Sequence, residues 1–570
     1  MCGIAGVIGR NATKNLLLKM TEKQQHRGPD FTGTWFGDQV CLGHNRLSII
    51  DLSADANQPF TDITNRYQLI FNGEIYNYIE LKKELDYPFK TNSDTEVLLA
   101  AYIKWGKGCL GKLNGMFSFA IWDCVEKKLF AARDRFGVKP FFYHVSNDTF
   151  SFASEIKTLH AAGISKKPNK KVWANYLSFG SYGMPNETFW ENILQLPGSH
   201  YMEYVKGKLD IKKWYFFEKE IEKHQQKKAY KEVKEKYTAL LKDSINLRFR
   251  ADVPVGFNVS GGLDSSALLT FVNQQKGNEN INAFTFYTND DRYDELPWVE
   301  EMISLTNNPL QKVLLEANEV EELAVKIGYH QDEPFGGIPT LAYAKIFKKA
   351  REENILVLLD GQGMDEQWAG YDYYIQNSDA TIQGVKKSPF KRHVLSEEMI
   401  DLAEKPKYPK PFKEELLNKQ YRDLFYTKIP RALRFNDRVS MAYSTELREP
   451  FLDYRLVEFS FAQPLEYKIK NGIQKSLLRE IVSEYLSDSI SYAPKRPLQT
   501  PQREWLGKDL EKFVTNMIMK IERSEFSSWF DIEELKNEWQ NYLHGDNQSS
   551  FHIWQWLGLD MCIDNNIVID

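Results

Sequence analysis

Residues 1–6 read Met-Cys-Gly-Ile-Ala-Gly, and a cysteine directly after the initiator methionine is the feature that organises the rest of the chain. Cysteine is small enough for that methionine to be trimmed, which would leave the Cys2 thiol and a free α-amine on one carbon. A free α-amine titrates at about 7.7–8.0, so it can exchange a proton with the thiol near neutral pH. The dipeptide therefore predicts a nucleophile with its own base. A cysteine buried in a first strand is the alternative for the dipeptide alone.

The composition favours a soluble chain of at least two domains. The chain has 570 residues, and 73 Lys+Arg against 78 Asp+Glu give a formal net charge of −5. Such a length exceeds one compact domain. A slightly acidic balance argues against non-specific nucleic-acid binding, which needs a net basic footprint. We expect no nucleic-acid partner.

The five cysteines are widely spaced, odd in number and without a CxxC pair. This pattern predicts neither a disulfide framework nor a zinc site, and it suits a reducing cytosol. The first twenty residues have no long apolar stretch, and the longest apolar runs, such as residues 355–359, are strand-length. We expect a cytoplasmic protein that does not associate with membranes.

Residues 2–210 contain many short β-type runs separated by Gly, Asn and Asp, which predicts a largely antiparallel layer packed on helices. Four polar clusters lie between these runs. Each is an ordinary turn by itself, but polar groups planted among buried strands are costly unless they are paired. Four of them together with Cys2 predict one pocket. The clusters are QHRGPD (25–30), NRLSIID (45–51), NGEIYN (72–77) and NSDTEV (92–97).

The second half opens with a loop typical of anion binding. A Lys/Glu-rich stretch at 217–236 predicts a linker over 211–235 and then a helix that runs into Arg248. A strand at 253–259, the loop SGGLDSS at 260–266 and a helix from Ala267 follow, and a Gly-rich loop before a helix binds anions through backbone N–H groups. The absence of GK[ST] and of GxGxxG argues against a Walker A loop and a dinucleotide fold.

In the first half, MCGIAGVIG, QHRGPD, RLSIID, NGEIYN and SDTEV, in this order, resemble the glutaminase domain of class II glutamine amidotransferases, which are N-terminal-nucleophile hydrolases. The resemblance implies that Cys2 attacks the side-chain amide of glutamine and that Asn72 and Gly73 form the oxyanion hole. It also implies that Arg46 binds the α-carboxylate of glutamine and Asp94 its α-ammonium. The implied glutamine-binding residues are Arg46, Leu47, Ser48, Ile49, Ile50, Asn72, Gly73, Glu74 and Asp94.

SGGLDSS resembles the pyrophosphate-binding loop of ATP pyrophosphatases, and a second loop, DGQGMDE (360–366), follows a later strand. Two carboxylates that face a pyrophosphate need a divalent cation, so we expect Mg²⁺ on Asp264 and Asp365. The resemblance implies that Lys475 contacts the phosphates during adenylation. The implied ATP-binding residues are Val259, Ser260, Gly261, Gly262, Asp264, Ser265, Ser266, Phe286, Asp360 and Gly361.

Together the two halves resemble the glutamine-hydrolysing asparagine synthetases of the bacterial B type. The resemblance implies an α+β hydrolase sandwich (αββα) over residues 2–210, a linker over 211–235, and an α/β parallel-sheet domain with C-terminal helices over 236–570. It also implies a homodimer whose substrates are glutamine, ATP and aspartate. The reaction would pass through β-aspartyl-AMP and release asparagine, glutamate, AMP and diphosphate.

The second loop departs from the family pattern SGEGxDE at three positions. Asp360 replaces a serine, Gln362 replaces a glutamate beside the acyl-adenylate, and Met364 replaces a small residue. The segment KRPLQTPQ (495–502) is also unusual. We expect these changes to touch the acceptor pocket. Two alternatives therefore stay open: an enzyme that amidates another carboxylate, such as a uronic acid sugar or a peptide, and a glutamine or ATP sensor without synthesis. The intact set of catalytic residues speaks against the sensor.

Overall fold

The computed structural model describes residues 1–224, 229–274, 280–375, 388–493 and 499–564. The N-terminal part contains two six-stranded sheets, and both are antiparallel. The first sheet has the order β10-β8-β9-β1-β3-β2 and the second β12-β11-β7-β6-β5-β4. The strands are β1 (Gly3–Gly9), β2 (Phe31–Gly37), β3 (Val40–Arg46), β4 (Phe60–Thr61), β5 (Tyr67–Ile75), β6 (Gly115–Asp123), β7 (Lys128–Arg133), β8 (Phe142–Val145), β9 (Thr149–Ala153), β10 (Leu194–Gln195), β11 (His200–Val205) and β12 (Lys208–Lys213).

The two sheets pack face to face on an apolar layer to which both contribute, including Ile4, Leu42, Ile70 and Phe152. Helices cover the outer faces: α1 packs on the first sheet and α3 on the second. This arrangement confirms the predicted αββα sandwich. The helices of this part are α1 (Lys14–Lys23), α2 (Tyr78–Glu84), α3 (Asp94–Trp105), α4 (Ile156–Ala161) and α5 (Lys170–Phe179).

The C-terminal part is built on a five-stranded sheet of order β15-β14-β13-β16-β17, and every pair in it is parallel. β13 and β16 are neighbours, so their carboxyl ends bring the SGGLDSS and DGQGMDE loops together. A short hairpin, β18 with β19, lies outside this sheet. The strands are β13 (Val255–Asn258), β14 (Ala283–Tyr287), β15 (Leu310–Leu314), β16 (Val357–Leu359), β17 (Glu446–Arg448), β18 (Ile469–Lys470) and β19 (Ile473–Gln474).

Helices surround this sheet and form the C-terminal layer, and none of the helices within the described ranges is long and apolar enough to cross a membrane. They are α6 (Phe217–His224), α7 (Tyr230–Arg248), α8 (Leu263–Asn273), α9 (Leu296–Thr306), α10 (Val320–Gln331), α11 (Ile338–Glu352), α12 (Met364–Gln367), α13 (Glu397–Leu402), α14 (Glu415–Phe425), α15 (Lys428–Met441), α16 (Tyr454–Phe461), α17 (Leu465–Lys468), α18 (Ser476–Val482), α19 (Asp488–Ser491), α20 (Gln502–Gly507), α21 (Glu511–Arg523), α22 (Ile532–Leu543) and α23 (Phe551–Asp564).

Two local details differ from the sequence-based expectation. The helix expected from Ala267 begins at Leu263, because Gly262 is extended and the hydroxyl of Ser266 donates back to the carbonyl of Gly262 (2.8 Å). Asp264 therefore lies in the first turn of α8 rather than in a loop. The segment predicted as a linker contains α6. Residues 225–228 of that segment, 495–498 of the KRPLQTPQ segment and the last six residues, 565–570, lie outside the described residues.

A buried arginine joins the two parts of the chain. The Arg27 guanidinium lies 3.0 Å from Glu155 in the N-terminal part and 2.9 Å from Asp437 in the C-terminal part. Glu155 also accepts from Lys157 (2.6 Å), and Lys157 lies 3.2 Å from Asp332. Glu155 and Lys157 therefore belong to a buried ion-pair network between the two parts of the chain.

We predict that Arg27→Met strongly destabilises the folded protein. The substitution would leave the carboxylates of Glu155 and Asp437 buried with one partner fewer, and removal of one partner from a buried ion pair costs about 3–5 kcal/mol. Arg10→Met is the matched control, since the ion pair of Arg10 with Asp148 is exposed. Denaturant unfolding of both variants measures the difference, and equal free energies of unfolding would contradict the structural role of Arg27.

Candidate active site

Cys2 lies one residue before β1, at the edge of the sandwich that faces the C-terminal part. Its backbone nitrogen donates to Oδ1 of Asn72 (3.1 Å), and its sulfur lies 3.9 Å from the carbonyl oxygen of Leu47. The residue is 8% exposed, and burial raises the pKa of its thiol. In this structure Met1 precedes it, so the Cys2 nitrogen is an amide. The amine that would serve as its base exists only after Met1 is removed.

Asn72 and Gly73 lie on β5 beside Cys2. The Asn72 Nδ2 group is buried, and within the described residues it has no hydrogen-bond partner. Gly73 has φ +152°, and an added Cβ would lie 2.1 Å from the carbonyl oxygen of Met116. Only glycine fits this backbone. The structure thus brings a spare amide donor next to the predicted nucleophile.

Asp51 connects the loop that follows Arg46 with the loop that precedes Asp94, and both of these residues are predicted to bind glutamine. The Arg46 guanidinium donates to the carbonyl oxygen of Asp51, and the Asp51 side chain accepts from the Asn92 nitrogen (2.8 Å), two residues before Asp94. Arg46 is also held by Asn57 Oδ1 (2.7 Å). These bonds position the Arg46 guanidinium at the end of β3 and the Asp94 carboxylate at the start of α3.

Asp94 is buried at the first turn of α3, where its side chain accepts from the Ile75 nitrogen (2.8 Å). Burial raises the pKa of this carboxyl to about 6. In the loop that follows β3, Leu47, Ile49 and Ile50 are buried, and the Ser48 nitrogen donates to Asp30 (2.8 Å). The loop residues of the predicted glutamine site are thus apolar and buried, and Arg46 and Asp94 are the charged residues predicted to bind the two ends of glutamine.

Glu74 faces the C-terminal part rather than an open pocket. Its carboxylate lies 3.5 Å from Arg448, and Arg448 also bonds Glu446 (2.5 Å). Burial and the nearby Glu446 raise the pKa of Glu74 well above its ordinary value. The Met1 ammonium lies 3.1 Å from Glu446 in the same cluster. The sequence analysis did not identify Glu446 and Arg448, although both belong to the stretch TELREP (445–450).

A second centre lies at the carboxyl ends of β13 and β16, around a cavity of about 200 Å³ that we call the phosphate-loop cavity. Ser266 does not line it, because its hydroxyl bonds Gly262 within α8 and its side chain is fully buried. The predicted residues that do line the cavity are Val259, Ser260, Gly261, Gly262, Asp264, Ser265, Phe286, Asp360, Gly361, Gln362, Asp365 and Lys475.

Lys475 bridges the two carboxylates predicted to hold a metal ion. Its ammonium lies 2.6 Å from Asp264 and 2.5 Å from Asp365. Burial alone would lower the pKa of Lys475, but the two carboxylates outweigh it and the pKa is raised. Gly370 makes this approach possible, since an added Cβ would lie 1.9 Å from the Asp365 carboxylate and 2.2 Å from Cε of Lys475. No sequence motif indicated that a glycine is required at this position.

The donor set fits a magnesium ion that also has a substrate's phosphates as ligands. The part of the chain that the structure describes holds no cluster of three or more His, Cys, Asp or Glu with metal-binding geometry. Mg²⁺ commonly takes one or two carboxylates and completes its shell with water and phosphate oxygens. Asp264 and Asp365 converge on one point, which supplies that number.

Glu295 and Glu366, two further carboxylates of the phosphate-loop cavity, were given no role in the sequence analysis, whereas Asp360 was given one. The Gly261 nitrogen donates to Glu295 (3.0 Å), so a carboxylate occupies an N–H group of the predicted anion loop. Burial and the neighbouring Asp365 raise the pKa of Glu366 to about 7. Asp360 lies 3.4 Å from the Tyr343 hydroxyl, and burial raises its pKa as well. The phosphate-loop cavity therefore has several carboxyl groups, and those of Glu366 and Asp360 have raised pKa values. A metal-bound nucleotide would change the charge and protonation of these groups.

The three unusual positions of the DGQGMDE loop have different environments. Asp360 lines the phosphate-loop cavity, and Gln362 lines both that cavity and a second one beside it. Met364 does neither: it is fully buried at the start of α12, where its sulfur accepts from the Tyr237 hydroxyl (3.2 Å). The expectation that Met364 touches the acceptor pocket is wrong, because the helix turns this side chain into the core.

The chain matches known protein families over both halves. Residues 1–215 match the family described as a glutamine amidotransferase domain, and residues 236–564 match asparagine synthase. Two Bacillus subtilis proteins, asparagine synthetase (glutamine-hydrolyzing) 1 and 3, are each 30% identical to this chain. The alignments cover 92% and 87% of this chain and 91% and 86% of those proteins.

A relative with a different printed name also aligns along most of its length. Amidase chry2 from Gibberella zeae is 25% identical to this chain, and the alignment covers 88% of each. The asparagine synthase match alone spans more than half of the chain. This chain therefore belongs to the glutamine-hydrolysing asparagine synthetase family and is a glutamine-dependent amidotransferase with an ATP-pyrophosphatase domain.

Proposed function

We propose that the protein activates a carboxylate with ATP and converts it into an amide with ammonia released from glutamine. The observation that carries the proposal is the pairing of two complete centres in one chain. One centre has Cys2 beside Asn72, whose Nδ2 group has no hydrogen-bond partner among the described residues, and the other has Lys475 between Asp264 and Asp365. Each set of residues matches one half of the reaction, and both are assembled within one fold.

In the first half-reaction, the Cys2 sulfur attacks the side-chain carbonyl carbon of glutamine. The oxyanion accepts hydrogen bonds from Asn72 Nδ2 and the Gly73 N–H, and one such donor is typically worth about 3–4 kcal/mol of barrier. The α-amine freed by removal of Met1 receives the thiol proton and passes it to the departing ammonia. Water then releases glutamate from the thioester. Arg46 and Asp94 hold the two charged ends of glutamine during these steps.

In the second half-reaction, an acceptor carboxylate attacks the α-phosphorus of ATP and diphosphate leaves. Lys475 offers its ammonium to the charge that develops on the phosphates. The N–H groups of residues 260–262, which donate to Ser265, Glu295 and Ser260 in this structure, would turn to the diphosphate. Mg²⁺ on Asp264 and Asp365 would neutralise the phosphates. Ammonia displaces AMP from the acyl-adenylate and gives the amide.

Aspartate is the first candidate acceptor, because relatives at 30% identity carry the asparagine synthetase name. The intermediate would be β-aspartyl-AMP, and the products would be asparagine, glutamate, AMP and diphosphate. The second candidate is a carboxylate without an α-ammonium group. It is favoured by the cavity beside Gln362. The described residues of its lining include nine aromatic residues and Arg431 but no carboxylate that could pair with an ammonium.

The resemblance to the family supports a homodimer. All five cysteines are free thiols, which supports a cytoplasmic location. These statements complete the proposal for the protein as it would work in the cell.

The first experiment measures diphosphate release from MgATP and ammonium, with and without aspartate. Release that depends on aspartate, with asparagine in equal amount, would establish aspartate as the acceptor. Asp264→Asn is the control variant, and we expect it to lower diphosphate release at least about a hundredfold while glutamine hydrolysis persists. No release with any carboxylate would overturn the proposal in favour of a sensor, and unchanged release in the variant would contradict the metal assignment.

We predict that Cys2→Ala abolishes glutamine-dependent amide formation but leaves ammonia-dependent formation intact. Loss of the nucleophile lowers glutamine hydrolysis by at least about a thousandfold. The second centre keeps its residues and takes ammonia from solution. Cys124→Ala is the matched control, because this half-buried thiol lies outside both centres. If Cys2→Ala also lost the ammonia-dependent reaction while still folded, the assignment of two separate centres would fail.

Asp94 predicts a pH dependence of glutamine binding. Its carboxyl has a pKa of about 6 and pairs with the α-ammonium of glutamine only when ionised. As the pH falls through about 6, the neutral acid accumulates, so the KM for glutamine should rise by about fourfold between pH 7.5 and 5.5. In Asp94→Asn the KM should be high and should lose this dependence. A flat KM in the unmodified protein would contradict the role of Asp94.

A further inference from the structure

A wide cavity opens beside the phosphate-loop cavity, and we call it the aromatic cleft. It has a volume of about 260 Å³ and shares Tyr343 and Gln362 with the phosphate-loop cavity. Nine of its twenty lining residues are aromatic, among them Phe335, Phe551 and Trp554. An acceptor whose carboxylate reached ATP past Gln362 would therefore have the rest of its body in this cleft.

At its far end the aromatic cleft continues into a larger cavity, the basic pocket. The two share Phe179, Gly180, Tyr182 and Arg431, and the basic pocket has a volume of about 360 Å³. Eight of its twenty-five lining residues are lysine or arginine, and two are glutamate. Lys410, Arg422 and Arg434 are ion-paired with Glu415, Asp423 and Glu333. The lining keeps an excess of positive charge over its own carboxylates and favours a negatively charged ligand.

The residues where the aromatic cleft meets the basic pocket are closely packed. Gly180 has φ +66°, and an added Cβ would come within 2.1 Å of the Phe390 ring, so the backbone there admits only glycine. The Tyr182 ring packs edge-on against Phe435 (5.2 Å between centroids), and the guanidinium of Arg431 lies 5.7 Å from its centre. In the described part of the chain no ion pair engages Arg431. It presents a positive charge where the aromatic cleft meets the basic pocket.

This lining does not suit the α-ammonium of an amino acid. Among the described residues, no aspartate or glutamate lines the aromatic cleft, and Arg431 is the one charged residue of its lining. A buried ammonium without a carboxylate or another strong acceptor is costly. Aromatic faces instead accept the C–H faces of rings, and the Asn436 amide lies on the lining as a partner for a hydroxyl group.

A peptide is disfavoured by the elements that form the aromatic cleft. Extended peptides commonly bind by adding a strand to an exposed sheet edge. The residues of this cleft come from α5, α11, α15, α20, α23 and loops, and none belongs to a described strand. A ring-shaped ligand needs no strand edge.

We infer that the acceptor is an acidic saccharide, namely a uronic acid joined to a group that carries further negative charge. This inference rests on the proposed function. The uronate carboxylate attacks the α-phosphorus of ATP at Gln362 and releases diphosphate, and ammonia then displaces AMP to give the uronamide. The sugar ring lies against the aromatic cleft, and the attached phosphates or further carboxylates lie in the basic pocket.

The experiment measures diphosphate release with MgATP and ammonium for five acceptors at equal concentration: aspartate, glucuronate, uridine diphosphate glucuronate, an oligogalacturonate and a glutamate-rich peptide. We expect one of the two charged saccharides to support release at least about tenfold above aspartate and free glucuronate. Mass spectrometry should find the uronamide. The two charged saccharides distinguish a nucleotide-linked sugar from a polysaccharide end.

Release that depends on aspartate or on the peptide alone would overturn the inference but leave the proposed function standing. Release with none of the five, while glutamine is still hydrolysed, would overturn both. Release with free glucuronate equal to that with the charged saccharides would overturn the role of the basic pocket.

Two substitutions test the placement of the saccharide. Phe551→Ala and Arg431→Met should raise the KM of the charged saccharide by about tenfold, with the KM for ATP and the rate of glutamine hydrolysis unchanged. Phe216→Ala is the matched control, because Phe551 and Phe216 are 44% and 40% exposed and only Phe551 lines the cleft. Arg10→Met controls for the loss of an arginine. An unchanged KM for the charged saccharide in both cleft variants would overturn the placement.

Discussion

The buried guanidinium of Arg448 connects the two centres of this protein. It bonds Glu446 (2.5 Å) and faces Glu74 (3.5 Å), the residue that follows the Asn72–Gly73 pair. Its backbone carbonyl accepts from the Asp360 nitrogen (2.9 Å) at the phosphate-loop cavity. One residue of the short strand β17 therefore touches the supporting residues of both centres. Displacing Arg448 would disturb the nucleophile's side and the nucleotide's side at once.

Burial makes this connection rigid and also costly to break. Two carboxylates around one guanidinium are stable only while all three charges stay together, since a buried charge without a partner costs several kcal/mol. The raised pKa of Glu74 reflects this tension, because burial and Glu446 disfavour its ionised form more than Arg448 favours it. Arg27, with Glu155 and Asp437, repeats the same arrangement elsewhere on the interface. Buried ion pairs thus hold the N-terminal and C-terminal parts of the chain together.

The sequence predicted what local backbone chemistry specifies. The αββα sandwich, the parallel sheet and the Gly-rich turn before Asp264 were predicted from short motifs, and the structure contains each of them, with Asp264 itself in the first turn of α8. The cluster of Glu74 with Arg448 could not be predicted, because these residues lie far apart in the chain and meet only through tertiary packing. The same holds for Gly370, which lies against Asp365 and Lys475. Met364 was misplaced because one helical turn decides whether its side chain meets the cavity or the core.

Acceptor choice is the property that the motifs specify least. Ammonia release and adenylation use backbone N–H groups and a few charged side chains, so their residues form recognisable strings such as NGEIYN and SGGLDSS. The aromatic cleft is assembled from single side chains on five helices and several loops between residues 176 and 555, and no string of sequence describes it. Gln362 belongs to a family motif and also lines the aromatic cleft, so it connects the adenylation residues with the side chains that select the acceptor. A change of acceptor therefore needs few changes in the motifs and many small ones on the helices, which is how one reaction can serve different carboxylates.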